Sequence, residues 1–65
     1  MRLLFDDQSR VVYTAPDIAR IMGTSARVAR ILLRDQIPSF RWMVNGVWVN
    51  VALASDVEAF RKDQS

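Results

Sequence analysis

The chain has 65 residues, a formal net charge of +2, and neither cysteine nor histidine. This length allows one small domain, of marginal stability because folding at this size buries only about 60% of the surface the unfolded chain exposes. A disulfide framework and a Cys/His zinc site are excluded, so the 51% hydrophobic fraction has to supply a single apolar core.

No apolar run approaches the roughly 18 residues of a membrane span. Asp6-Asp7 follow closely on Met1-Arg2-Leu3-Leu4-Phe5, a pattern unlike a signal peptide, and a cytoplasmic location is expected. Charge is unevenly distributed. Residues 20 to 41 hold Arg20, Arg27, Arg30, Arg34 and Arg41 against one acid, Asp35. Arginine outnumbers lysine eight to one, which suits bidentate binding of phosphate. A local basic cluster of this kind is an electrostatic footprint for a polyanion; the simpler alternative is a solvated helix face.

In chain order, residues 1 to 12 are an N-terminal segment or edge strand. Leu3, Leu4 and Phe5 are too apolar for a free tail, Asp6-Asp7-Gln8-Ser9 reads as a turn, and Arg10-Val11-Val12-Tyr13 is a β-branched and aromatic run. Thr14 is an N-cap with Pro16 in the first helical turn and Asp17 three residues after the cap. In the helix that follows, Ala15, Ile18, Ala19 and Met22 share a face, with Arg20 pointing away. Gly23 is its stop, because glycine adopts the left-handed conformation freely.

Ser25 caps a second helix after a turn of about three residues, which predicts a helix-turn-helix over residues 14 to 36. Ala29, Leu32 and Leu33 form its inner arc, with Val28 and Ile31 on the border. Arg27, Arg30 and Arg34 lie on the opposite arc, within roughly 60° of one another. Pro38 disfavours helical geometry at Ile37 and ends the element.

Asn45-Gly46 lies between two β-rich runs and predicts a type I′ hairpin over residues 40 to 51. The register follows: Val44 opposite Val47, Met43 opposite Trp48, Trp42 opposite Val49, Arg41 opposite Asn50. Phe40, Trp42, Val44, Val47, Val49 and Val51 then form a core face. Arg41, Met43, Trp48 and Asn50 form a mixed one, where Trp48 and Met43 are either covered by the N-terminal strand or form a protein-contact surface. Ser55-Asp56-Val57-Glu58 reads as a capping box opening a closing helix over 55 to 62, with Val57 and Phe60 inward. Asp17, Asp35, Asp56 and Glu58 read as capping or surface carboxylates. No acid–base pair or metal cage is spaced for catalysis, so no enzymatic activity, metal or cofactor is expected.

The order helix, tight turn, helix, hairpin, helix is that of a winged helix-turn-helix, mainly α with a β-hairpin wing (α+β). Three segments carry a family resemblance. Tyr13-Thr14-Ala15-Pro16-Asp17-Ile18-Ala19-Arg20-Ile21-Met22-Gly23-Thr24-Ser25 resembles the opening of the excisionase-type, MerR-like DNA-binding domains. Leu32-Leu33-Arg34-Asp35-Gln36-Ile37-Pro38 resembles their recognition-helix end and the Leu/Ile-Pro step into the wing. Ser55-Asp56-Val57-Glu58-Ala59-Phe60 resembles their closing helix. The chain departs from the pattern at Gln36, where a glycine is usual, in a spacing one residue tight before Ile37-Pro38, and in a wing tip, Val44-Asn45-Gly46-Val47, without basic residues.

The resemblance implies a non-enzymatic DNA-binding and DNA-bending protein acting as a phage excisionase, or recombination directionality factor. Its partners would be double-stranded DNA at the attachment-site arms and a tyrosine integrase turned toward excision. Bending a short site costs several kcal/mol, so cooperative self-association on DNA is expected, through the N-terminal segment or the Trp48 face. The residues expected at DNA are Arg27, Arg30 and Arg34 on the recognition helix, Thr24, Ser25 and Ala26 at its N-terminus, Arg41 at the wing base and Arg20 on the first helix. A small winged-helix transcriptional regulator and a protein-interaction adaptor remain the alternatives.

Overall fold

The computed structural model describes residues 3 to 64. Seven elements follow one another: β1 (Leu4–Phe5), β2 (Val11–Tyr13), α1 (Ala15–Met22), α2 (Ala26–Asp35), β3 (Phe40–Val44), β4 (Val47–Leu53) and α3 (Ala54–Gln64). The strands form one antiparallel sheet in the order β1-β2-β4-β3, so the fold is α+β with three helices on a four-stranded sheet.

The β1–β2 turn is built on Asp6. Its carboxylate accepts from the Gln8 amide at 2.9 Å, the Arg10 amide at 2.8 Å and the Arg10 guanidinium at 2.7 Å. The Asp6 amide in turn donates to the Arg10 carbonyl, and Ser9 takes a positive φ of 60° to close the loop. Asp6 is the buried charged residue among those described. That burial is tolerated because three donors, one of them a cation, replace the lost water.

β2 is not the edge strand expected. It lies inside the sheet, paired with β1 through Leu4↔Val12 and with β4 through Val12↔Leu53 and Tyr13↔Ala52. β2 takes the edge of β4 opposite to β3, at Ala52 and Leu53, just past the five residues that pair with β3.

α1 starts where expected. The Thr14 amide and hydroxyl both donate to the Asp17 carboxylate, at 3.2 and 3.1 Å, and Pro16 sits in the first turn. Gly23 ends α1 at φ 66°, ψ 37°, and both its amide and that of Thr24 turn back to the Ala19 carbonyl. α2 opens on Ser25, whose hydroxyl accepts from the Val28 amide at 3.2 Å. At its far end the Gln36 and Ile37 amides converge on the Leu32 carbonyl, and the Ser39 hydroxyl caps the Leu33 carbonyl at 2.8 Å.

The core gathers Ala15, Ile18 and Ala19 of α1, Ala29 and Leu33 of α2, Ile37, Ala52 of β4 and Val57 of α3. Its alanines let the elements approach closely, while Ile18, Leu33 and Val57 fill the space between them. Two expectations fail at the C-terminal end. α3 begins at Ala54, directly after Leu53 of β4, so Ser55 lies inside the first turn instead of capping it, and the helix spans 54 to 64 instead of 55 to 62. A strand that runs straight into a helix leaves no free residue for a cap.

The hairpin has the register expected, from Phe40↔Val51 to Val44↔Val47, with Asn45 and Gly46 both at positive φ as a type I′ turn requires. Its inner face is not uniformly core. Val51 is fully buried and Phe40, Trp42, Val44 and Val49 are half-buried, but Val47 is 59% exposed. The tip therefore projects beyond the helices that cover the base. Trp42 is held edge-on against Phe40, with ring centroids 6.3 Å apart. Trp48 and Met43 are exposed rather than covered, because β1 and β2 reach β4 only at its other end.

Candidate functional site

Between α2 and the hairpin the surface folds into a groove of about 900 Å³. From α2 it receives Arg27, Arg30, Ile31, Leu33 and Arg34. From the hairpin it receives Arg41, Val44, Trp48, Val49 and Asn50, and Thr14, Ala15 and Pro16 also line it. Four arginines from two elements thus face one space. All four are exposed, so their charge projects into water without the desolvation cost a buried cation would carry.

The positions follow from periodicity on one side and register on the other. On α2 the spacings of three and four keep Arg27, Arg30 and Arg34 on one arc, while Ala29 and Leu33 face the core at 0 and 2% exposure. On the hairpin, Arg41 is cross-strand to Asn50 at the base. Arg41 therefore stands on the rigid, packed end of the hairpin instead of its projecting tip.

The four cations are not equivalent. Arg34 is engaged by its neighbour: Nε donates to Oδ1 of Asp35 and Nη2 to Oδ2, both at 3.0 Å. The hydrogen bonds, and then the charge, of this pair raise the Arg34 guanidinium above its ordinary value and hold the Asp35 carboxyl below its own. Among the described residues, no carboxylate forms an ion pair with Arg27, Arg30 or Arg41. These three offer all their donors to an incoming anion.

Of the residues expected at the site, the structure brings Arg27, Arg30, Arg34 and Arg41 together and leaves Arg20, Thr24, Ser25 and Ala26 outside the groove. Ser25 is exposed at the start of α2, where first-turn amides have no intrahelical acceptor. Thr24 and Ala26 are half-buried, and Arg20 is exposed on α1. Sequence reasoning did not place Thr14, Pro16, Trp48 or Asn50 at the groove. The pairing of Arg41 with Asn50 was the signal that could have found Asn50.

Among the described residues no cluster of acidic side chains is arranged to hold a metal ion, and no helix is long and apolar enough to cross a membrane. Comparison with protein-family models, curated proteins and solved structures gave no match, so the excisionase resemblance rests on the motifs alone.

Proposed function

We propose that the chain is a winged-helix DNA-binding protein of the excisionase kind, in which α1 and α2 form the helix-turn-helix and β3–β4 the wing. It bends attachment-site DNA without catalysing a reaction and directs a tyrosine integrase toward excision, with neighbouring copies binding cooperatively. The observation that carries the DNA reading is the groove itself, where Arg27, Arg30, Arg34 and Arg41 from two elements converge on one space.

A duplex fits that arrangement. A recognition helix occupies a major groove, and a hairpin beside it reaches toward the adjacent minor groove. The sugar-phosphate strand that separates the two grooves then runs between helix and hairpin. The groove lies there, and arginine binds phosphate oxygens or, from α2, guanine O6 and N7. The excision role comes from the motif resemblance.

The test is a footprint with bending analysis on attachment-site DNA, followed by an in vitro excision reaction with the cognate integrase. The expected result is protection of several adjacent sites, a bend, and stimulated excision. Arg27→Ala and Arg30→Ala should each weaken binding by about 1–3 kcal/mol and lower the salt slope by about one. Binding and bending without any effect on excision would leave the small transcriptional regulator as the reading. DNA affinity indifferent to both substitutions would point to a protein adaptor.

A further inference from the structure

The hairpin tip is the least expected part of the surface. Residues 42 to 55 contain no charged side chain, yet Val47, Trp48 and Met43 are 59, 55 and 49% exposed. A wing that gripped phosphates would carry cations at its tip. A wing that was merely solvated would carry small polar groups. This one instead presents a large aromatic ring opposite a thioether, Trp48 across from Met43, on strands pinned by a type I′ turn.

The patch is continuous with the cationic groove. Trp48 and Val44 line the same space as Arg27, Arg30, Arg34 and Arg41. A polyanion drawn to the arginines is therefore delivered to the apolar tip. The chemistry that rewards cations next to an uncharged aromatic wedge is a nucleic-acid duplex. Its backbone is anionic, but its base steps are flat, apolar and open to insertion from the minor groove. Apolar side chains inserted at such steps unstack them and kink the duplex by about 20–90°.

We propose that Trp48, backed by Met43 across the hairpin, is a wedge that enters a base step of the bound DNA and produces the bend. The inference rests on the DNA-binding reading given above and deepens it. The arginines hold the strand and the hairpin tip deforms it. One small domain can then impose a bend, because insertion replaces smooth elastic deformation with a local kink at an easily unstacked step.

The test compares wild type, Trp48→Ala and Trp48→Phe on one site, with Arg27→Ala as a control for DNA capture. Trp48→Ala should weaken binding about tenfold and sharply reduce the bend seen by circular permutation, with the salt slope unchanged. Trp48→Phe should restore most of the bend. A 2-aminopurine at the entered step should brighten with wild type and stay dim with Trp48→Ala. In a Trp42→Phe background, which keeps a ring against Phe40, Trp48 emission should be quenched by DNA. Trp48 is exposed, so circular dichroism should show Trp48→Ala folded.

The wedge is overturned if Trp48→Ala binds with an unchanged bend and the 2-aminopurine signal is the same for both proteins. It is equally overturned if Trp48→Ala bends a single site normally but loses cooperativity between adjacent sites, which would make the tip a protein-contact surface. Failure of wild type to bind any duplex removes the DNA reading itself, and that result is separate from a bound duplex left unkinked.

Discussion

Asp35 holds the guanidinium of its immediate neighbour Arg34 through two 3.0 Å hydrogen bonds, at the C-terminal end of the arginine arc on α2. The pair is exposed, at 69 and 47% of the two side chains, and so adds little to stability. Its consequence is for the proposed DNA contact: a phosphate approaching Arg34 would meet a cation already satisfied and an anion beside it.

Asp35→Asn should therefore raise DNA affinity severalfold and steepen the dependence of log affinity on log salt by about 0.9, the increment for one further phosphate contact. Arg34→Ala in the native background should lose less affinity than Arg27→Ala or Arg30→Ala. Salt titrations of wild type and the four variants on one site check both statements. An unchanged slope in Asp35→Asn would remove Arg34 from the contacts.

Much of this site was legible from residue order. The three arginines of α2 fell on one arc because their spacing matches the helical period, and the Asn-Gly turn fixed the hairpin register that pairs Arg41 with Asn50. What was not legible is instructive. Neighbours i and i+1 on a helix ordinarily face apart, so the Arg34–Asp35 pair has no pattern to read. The place of β2 inside the sheet depends on Leu53 and Ala52 of β4, some forty residues away in the chain, and no local signal reports that pairing. Exposure of Val47 and Trp48 depends on how far the hairpin outruns the helices, which alternation alone does not give.

Asp6 should govern acid stability at the sheet's N-terminal end. Burial tends to raise its carboxyl, but hydrogen bonds from the Arg10 amide, the Arg10 side chain and the Gln8 amide, together with the Arg10 charge, outweigh it and hold the group below the ordinary 3.8. A carboxyl depressed in the folded state contributes stability that is fully present above the unfolded value and is lost as pH falls through the folded one. The contribution should thus be intact at neutral pH and disappear below about 3.8. Asp6→Asn should lower the midpoint of thermal unfolding at pH 7 and remove this part of the acid dependence, so that the two unfolding curves converge at low pH. DNA affinity should be unchanged, since Asp6 lies outside the arginine groove. Thermal melts from pH 7 to pH 2 test this. Parallel pH dependence in the two proteins would show that the Asp6–Arg10 turn is not a titrating element of the fold.

Gly23 sets the angle at which α2 leaves α1. It sits at φ 66° with nothing within 4 Å of where a Cβ would stand. Gly23→Ala therefore meets no clash, and only left-handed backbone strain opposes it. That strain is about 1–2 kcal/mol for a residue with a Cβ, or a fall in melting temperature of about 4–8 °C per kcal/mol in a domain this size. Leu33→Ala should cost more, about 2–5 kcal/mol, because it removes a fully packed side chain. That loss is comparable to the whole stability of a small domain. A Gly23→Ala protein as stable as wild type would mean the turn relaxes out of the left-handed region, and its DNA affinity should then change with the angle of α2.

Ser25 separates what the cap does for the helix from what the helix N-terminus would do in the proposed DNA contact. Its hydroxyl accepts from the Val28 amide at 3.2 Å, while the side chain stays exposed at the start of the arginine-bearing helix. Ser25→Ala should lose the cap, at about 1 kcal/mol. Ser25→Asp should keep stability near wild type, because aspartate caps as well as serine and suits the positive end of the helix dipole. The same aspartate places a negative charge where the proposed DNA contact would bring phosphate oxygens to the first-turn amides. The two substitutions should therefore move in opposite senses. Ser25→Ala should melt lower with nearly normal DNA affinity, and Ser25→Asp should melt normally with DNA binding strongly reduced. Melting curves and gel shifts on the same preparations check the crossover. If Ser25→Asp bound DNA as wild type does, the N-terminus of α2 would lie away from the backbone, and contact would fall to the arginine groove alone.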